Sequence, residues 1–183
     1  MKKLFIGSGL LLMFSFAGSQ STEQANQYLY YERYQSAENN FHTLLKTQPE
    51  NAEAWYGLTR TYVLQGKTPD SVRTAPASIS GEPHFQTAMG YLYLAQNKKD
   101  SAAMYFNQAL KRTRQKNAGI LAAVAQAHIE TGAGDANYAI ELLNRAIKRD
   151  KRNAQLHVLL GDAYSKLNNG SQAYMSYKEA IEK

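Results

Sequence analysis

Four histidines, two basic runs and a scatter of serines and carboxylates are the residues that could do chemistry in this 183-residue chain. A helical metal site needs two histidines three or four positions apart with a carboxylate nearby. His42, His84, His128 and His157 stand far from one another in sequence. His128 and His157 also occupy places where the surrounding pattern elsewhere puts Tyr62 and Trp55, so packing accounts for them better than ligation. Cysteine is absent, which excludes disulfides, thiolate metal sites and thiol catalysis. The Gly7-Ser8-Gly9 triplet lies within an apolar run, follows no strand and leads to no lysine, so it is not a phosphate loop. Nothing in the spacing brings a serine nucleophile to a base. The expectation is a non-catalytic protein with no catalytic residue, no metal and no cofactor.

The basic runs are more suggestive. Lys111, Arg112 and Arg114 fall in KRTRQK, and Lys148, Arg149 and Lys151 in KRDKR, at matching places just past Ala109 and Ala146. If those alanines end helices that stack, the six cations align into a ridge. Cations are favoured at the negative end of a helix dipole, which alone accounts for their placement. As a binding surface, such a ridge suits an acidic protein or an anionic surface polymer. Nucleic acid is not expected, because no rings are interleaved as stacking platforms.

The elements that would hold these residues begin after an unusual N-terminus. Lys2 and Lys3 precede a largely apolar run from Leu4 to Ala17, with small residues at Ala17 and Ser19. This is the layout of a signal peptide over residues 1–19, cleaved after Ser19. The run is shorter than the roughly 20 residues a bilayer span needs, although an uncleaved anchor is the alternative. The expected location is periplasmic or secreted. Removing two lysines would lower the formal charge from +6 to +4, which favours solubility without naming a partner.

Beyond residue 20 the sequence repeats itself. Counting from Gly161, Tyr164, Ala173, Tyr177 and Ala180 follow at 3, 12, 16 and 19 positions. The same steps from Gly90 reach Tyr93, Ala102, Phe106 and Ala109, and from Ala25 they reach Tyr28, Ala37, Phe41 and Leu44. From Ala125 the ring position is His128 and the second half, Ala139, Leu143 and Ala146, runs two residues late. From Thr59 the first half holds Trp55, Leu58 and Tyr62, but the second half contains three prolines and no clear pattern. The period is about 34 residues. Each unit reads as a helix, a turn and a second helix, in which small residues admit the partner helix and rings fill the space between. One hairpin cannot cover its apolar face, so units must stack.

The Trp55–Leu58–Tyr62 spacing, the alanine–aromatic–alanine second halves and Pro49 resemble the tetratricopeptide repeat family, over roughly residues 21–183. The resemblance implies an all-α, right-handed superhelix (an α-solenoid) of about five helix-turn-helix repeats, with units near 21–51, 52–82, 83–117, 118–153 and 154–183. It also implies a concave groove lined by the first helix of each unit. Carried over by register, the groove residues are Asn26, Tyr30, Tyr56, Arg60, Thr87, Tyr91, Gln126, Asp162 and Lys166. Tyrosine and arginine dominate interface hot spots, so such a groove suits a protein or peptide ligand. The carboxylate clamp of some members does not carry over: Asn26 fits one of its places, but Thr22, Gly57, His84 and Ala88 fill others. Tyr174, Tyr177 and Ile181 offer apolar surface at the C-terminal helix, which suggests self-association or a longer array continuing past Lys183.

Overall fold

A small residue opposite a ring lets two helices lie close, and the computed structural model contains both of the glycine–ring pairs expected from the repeat. A Cβ on Gly90 would run into the ring of Phe106, and one on Gly161 into the ring of Tyr177. Phe41 stands at the equivalent place in the first unit but presses on Gly57 of the following helix, so this ring crosses a unit boundary.

The structure describes residues 21–67 and 70–183. The N-terminal run and its expected cleavage site lie outside them. Among the described residues the backbone forms nine α-helices and no strand. These are α1 (Thr22–Tyr30), α2 (Tyr34–Thr47), α3 (Ala52–Leu64), α4 (Pro83–Ala95), α5 (Lys99–Arg112), α6 (Ala118–Glu130), α7 (Ala136–Arg149), α8 (Ala154–Lys166) and α9 (Gly170–Ile181). Helices α1 and α2, α4 and α5, α6 and α7, and α8 and α9 pair as hairpins; the first packs on α3, α3 packs on α4, and each later hairpin packs on the next. The chain is an all-α solenoid.

Local chemistry fixes where the helices begin and turn. The side chains of Ser21, Asn51, Asn117 and Asn153 accept backbone N–H bonds at the starts of α1, α3, α6 and α8. Each such cap is worth about 1 kcal/mol. Pro83 opens α4 at a position where no intrahelical N–H is needed. Between the helices of a hairpin one residue turns left-handed: Glu32, Asn97 and Asn168 have φ of 55°, 57° and 56°. Gly66, at φ 69°, makes the same turn after α3.

Beyond Gly66 the second unit departs from the others. In place of a second α-helix, the chain makes 3₁₀ turns at Asp70–Thr74 and Ala77–Ile79, on either side of Pro76. Val72 and Ile79 are buried there and join Phe85, Met89 and Leu92 in the N-terminal core. Two apolar side chains thus stand in for a helical stripe, and α4 packs directly against α3. Pro76, in the middle of the stretch where a second helix would run, has no N–H to donate and so explains the break.

The fourth unit absorbs its two extra residues in the turn between α6 and α7. Gly134 fits under the His128 carbonyl, where a Cβ would collide with backbone. The Asp135 N–H donates to His128 Nδ1 at 3.0 Å, while its carboxylate caps α7 through the N–H groups of Asn137 and Tyr138. His128 fills the ring slot, 5.3 Å from Phe106 and 5.1 Å from Tyr138 between ring centres. Two cores result: one joins α1 to α4 with the 3₁₀ segment, the other joins α4 to α8.

Candidate functional site

The first helices of the units, α1, α3, α4, α6 and α8, form the inner layer, and a groove of about 390 Å³ opens between them, with lining residues from all five. Asn26 and Tyr30 project from α1, Tyr56 and Arg60 from α3, and Gln126 from α6. These five are the groove residues expected from register that the structure brings together. Tyr30 is 68% exposed and free to meet a ligand.

Register alone does not identify Glu53, His84, Gly119, Gln155 and Leu159, which also line the groove. Helical spacing could have found two of them. Glu53 lies three residues before Tyr56 and Gly119 seven before Gln126, each on a shared face. Burial lowers the pKa of His84 despite the opposing pull of Glu53 and Glu82.

Below the opening runs a polar bridge between α3 and α6, helices two units apart. Arg60 Nε lies 3.0 Å from both carboxylate oxygens of Glu130, and its Nη2 lies 2.6 Å from Oε1. Glu130 also accepts from the Tyr91 hydroxyl at 2.5 Å and from Gln126 Nε2 at 3.1 Å. The Tyr56 hydroxyl donates toward the Ala123 carbonyl and Gln126 Oε1, at 3.2 and 3.1 Å. Burial pushes the Tyr56 and Tyr91 phenols above their usual range, and Glu130 adds to both shifts. Arg60 loses from burial but gains more from Glu130, so its guanidinium is held charged.

The bridge corrects part of the register assignment. Register places Thr87 and Tyr91 on the groove wall, yet both are fully buried. The side chains of Tyr56 and Arg60 from one side and Gln126 and Glu130 from the other meet above the middle of α4, which leaves Thr87 and Tyr91 beneath them. Thr87 bonds back to the Pro83 carbonyl of its own helix. Asp162 and Lys166 do not reach the opening either. Asp162 accepts from the Tyr177 hydroxyl at 2.8 Å, and burial raises its pKa in spite of that bond. Lys166 Nζ donates to the carbonyls of His128, Ile129 and Thr131 at 3.0, 2.7 and 2.6 Å, closing the end of α6.

Of the expected basic ridge, Lys111, Arg114, Lys148 and Arg149 gather around one cleft, with Gln115 and Arg145. Arg112 instead turns to Glu82, 3.9 Å away, and Lys151 stands apart from the cleft. His157 is buried, with Nδ1 3.0 Å from Glu179 Oε2 but not aligned for a hydrogen bond; its role is packing.

Comparison with known proteins agrees with this architecture. Tetratricopeptide repeat models match residues 22–75, 83–116 and 154–182, more than half of the chain together. The unmatched stretch between the last two contains the unit whose second half runs late. No curated protein matches the chain. Among solved structures, TTC0263, a thermophilic tetratricopeptide repeat protein of Thermus thermophilus, is similar with a TM-score of 0.57 and 20% identity, covering 88% of each chain. MamA is similar at 0.47 and 17%, covering 88% of each chain. YrrB, described as having an unusual peptide-binding site, is similar at 0.48 and 14%, covering 90% of this chain and 87% of that one. The matched repeats and the stacked hairpins agree, and the chain belongs to the tetratricopeptide repeat family.

Proposed function

We propose that this protein is a non-catalytic scaffold of the cell envelope that holds a protein or peptide segment in its concave groove. The observation that carries the reading is the division of labour in the groove. The Arg60–Glu130–Tyr91–Gln126 floor satisfies itself, while Asn26, Tyr30, Glu53 and Gln155 around it present amide, ring and carboxylate groups to the opening. A preformed floor needs no reordering on binding, so the free groups can act as anchors. Tyr30 supplies apolar contact area, and the amides of Asn26 and Gln155 can both donate to and accept from a peptide backbone. The export reading supports an envelope location, with residues 1–19 removed before the array works.

Affinity capture from an envelope fraction tests this, with the wild-type chain and an Asn26→Ala/Tyr30→Ala double variant as baits. The expected result is a set of proteins held by the first and depleted about tenfold on the second, as hot-spot loss implies. Equal retention by a variant with unchanged helical circular dichroism rejects the groove. N-terminal sequencing of the mature protein tests cleavage after Ser19.

A second reading is favoured by one observation. On α9, Tyr174, Met175 and Ile181 are 67%, 49% and 87% exposed, an apolar face suited to assembly with another chain. Sedimentation across a range of concentrations separates the two readings, since a strict monomer argues against assembly through α9.

A further inference from the structure

The cleft between the C-terminal ends of α5 and α7 has a volume of about 660 Å³ and shares no residue with the groove. Lys111 comes from the last turn of α5, and Arg114 and Gln115 from the turn after it. Arg145, Lys148 and Arg149 come from one face of α7, spaced three and four apart. The turn is held in an uncommon shape, with Arg114 and Gln115 both left-handed at φ 49° and 55°. Their N–H groups bond to the carbonyls of Lys111 and Leu110, at 2.9 and 2.8 Å. Arg145 donates to the Gln115 side-chain oxygen, which joins the two walls.

Charge balance decides between solvated cations and a site. The two helix ends contribute roughly half a negative charge each. Five cations surround them, and the nearest carboxylate partner is Glu141, 3.6 Å from Arg145. Among the described residues, Lys111, Arg114, Lys148 and Arg149 have no carboxylate within 4.0 Å. The other second helices of hairpins, α2 and α9, end with one basic residue each, Lys46 and Lys178. The helix dipoles therefore account for only a part of the charge collected here.

We propose that this cleft docks an acidic segment of a partner protein, a run of Asp and Glu. Spaced carboxylates can each meet a separate guanidinium in two-pronged fashion. A compact phosphate dianion is disfavoured, because both helices point carbonyl ends at the cleft and neither offers the N-terminal N–H groups that phosphates use. The lining contains no ring on which a nucleic-acid base could stack.

Fluorescence anisotropy of the full chain with a labelled alternating Asp-Glu peptide of about eight residues, roughly 27 Å when extended, tests this. The expected result is binding that weakens as salt is raised and falls at least tenfold in an Arg114→Glu/Lys148→Glu variant. A Lys46→Glu/Lys178→Glu variant makes the same change in net charge elsewhere and is expected to bind as the wild type does. Circular dichroism is the check that both variants keep their helices. Equal losses in the two variants, no wild-type binding, or tighter binding of a single-stranded oligonucleotide would each overturn the proposal. So would displacement of the peptide by inorganic phosphate beyond that given by sodium chloride of equal ionic strength.

Discussion

At the scale of single residues, His128 shows how a repeat position is kept when its residue type changes. Its Nδ1 accepts from the Asp135 N–H, so the neutral ring carries its proton on Nε2, which is buried without a partner. Burial lowers its pKa to about 4 from an ordinary 6.5, with Lys166 acting in the same direction and Asp135 against it. The folded state thus binds this proton less readily than the unfolded state does. Its contribution to stability is complete above pH 6.5 and is lost as pH falls toward 4, up to about 2–3 kcal/mol given the partial exposure of the ring. A His128→Asn variant keeps an acceptor for Asp135 but does not titrate. Urea unfolding between pH 7 and 4.5 is expected to show a steeper loss for the wild type than for the variant, and parallel slopes would contradict this. Counting from Ala125 marks the slot as aromatic. It could not show the Asp135 contact, which exists because two extra residues let the turn fold back.

At the scale of helices, legibility followed distance along the chain. Hairpin contacts repeat at fixed steps, so the Gly90–Phe106 and Gly161–Tyr177 pairs could be read from spacing alone. The Arg60–Glu130 bridge could not, because it joins residues 70 positions apart on helices that no repeat rule pairs. That contact covers Tyr91, which is why register places Tyr91 in the groove and the structure buries it. The bridge is well shielded, with side-chain exposure of 17% for Arg60 and 15% for Glu130. Glu130→Gln is expected to destabilise the fold by about 3 kcal/mol, since it leaves an enclosed guanidinium without its carboxylate. Arg60→Met in the same chain should recover much of that loss, because it removes the stranded charge. A double-mutant cycle by urea denaturation gives the coupling, and additive losses would show that the pair does not act as a unit.

At the scale of the whole molecule, a solenoid is held by contacts between neighbouring units, so an irregular unit should govern how its flanks meet. Here that unit is the second, where Val72 and Ile79 replace a helix. Their packing against Phe85, Met89 and Leu92 seats α4 on α3, and that seating lets Tyr56 and Arg60 reach α6. The linker on the outside thus sets the groove on the inside. Val72 is fully buried, and Val72→Ala removes two methyl groups at roughly 0.8 kcal/mol each, plus any cavity left behind. An overall loss of about 2 kcal/mol is expected. Hydrogen exchange separates this account from simple core loss. If the linker positions the bridge, amides of α6, which carries Glu130, should lose more protection than those of α8, although both helices belong to the other core. Uniform loss along the array would mean instead that the cores unfold as one and that the second unit holds no special control over the groove.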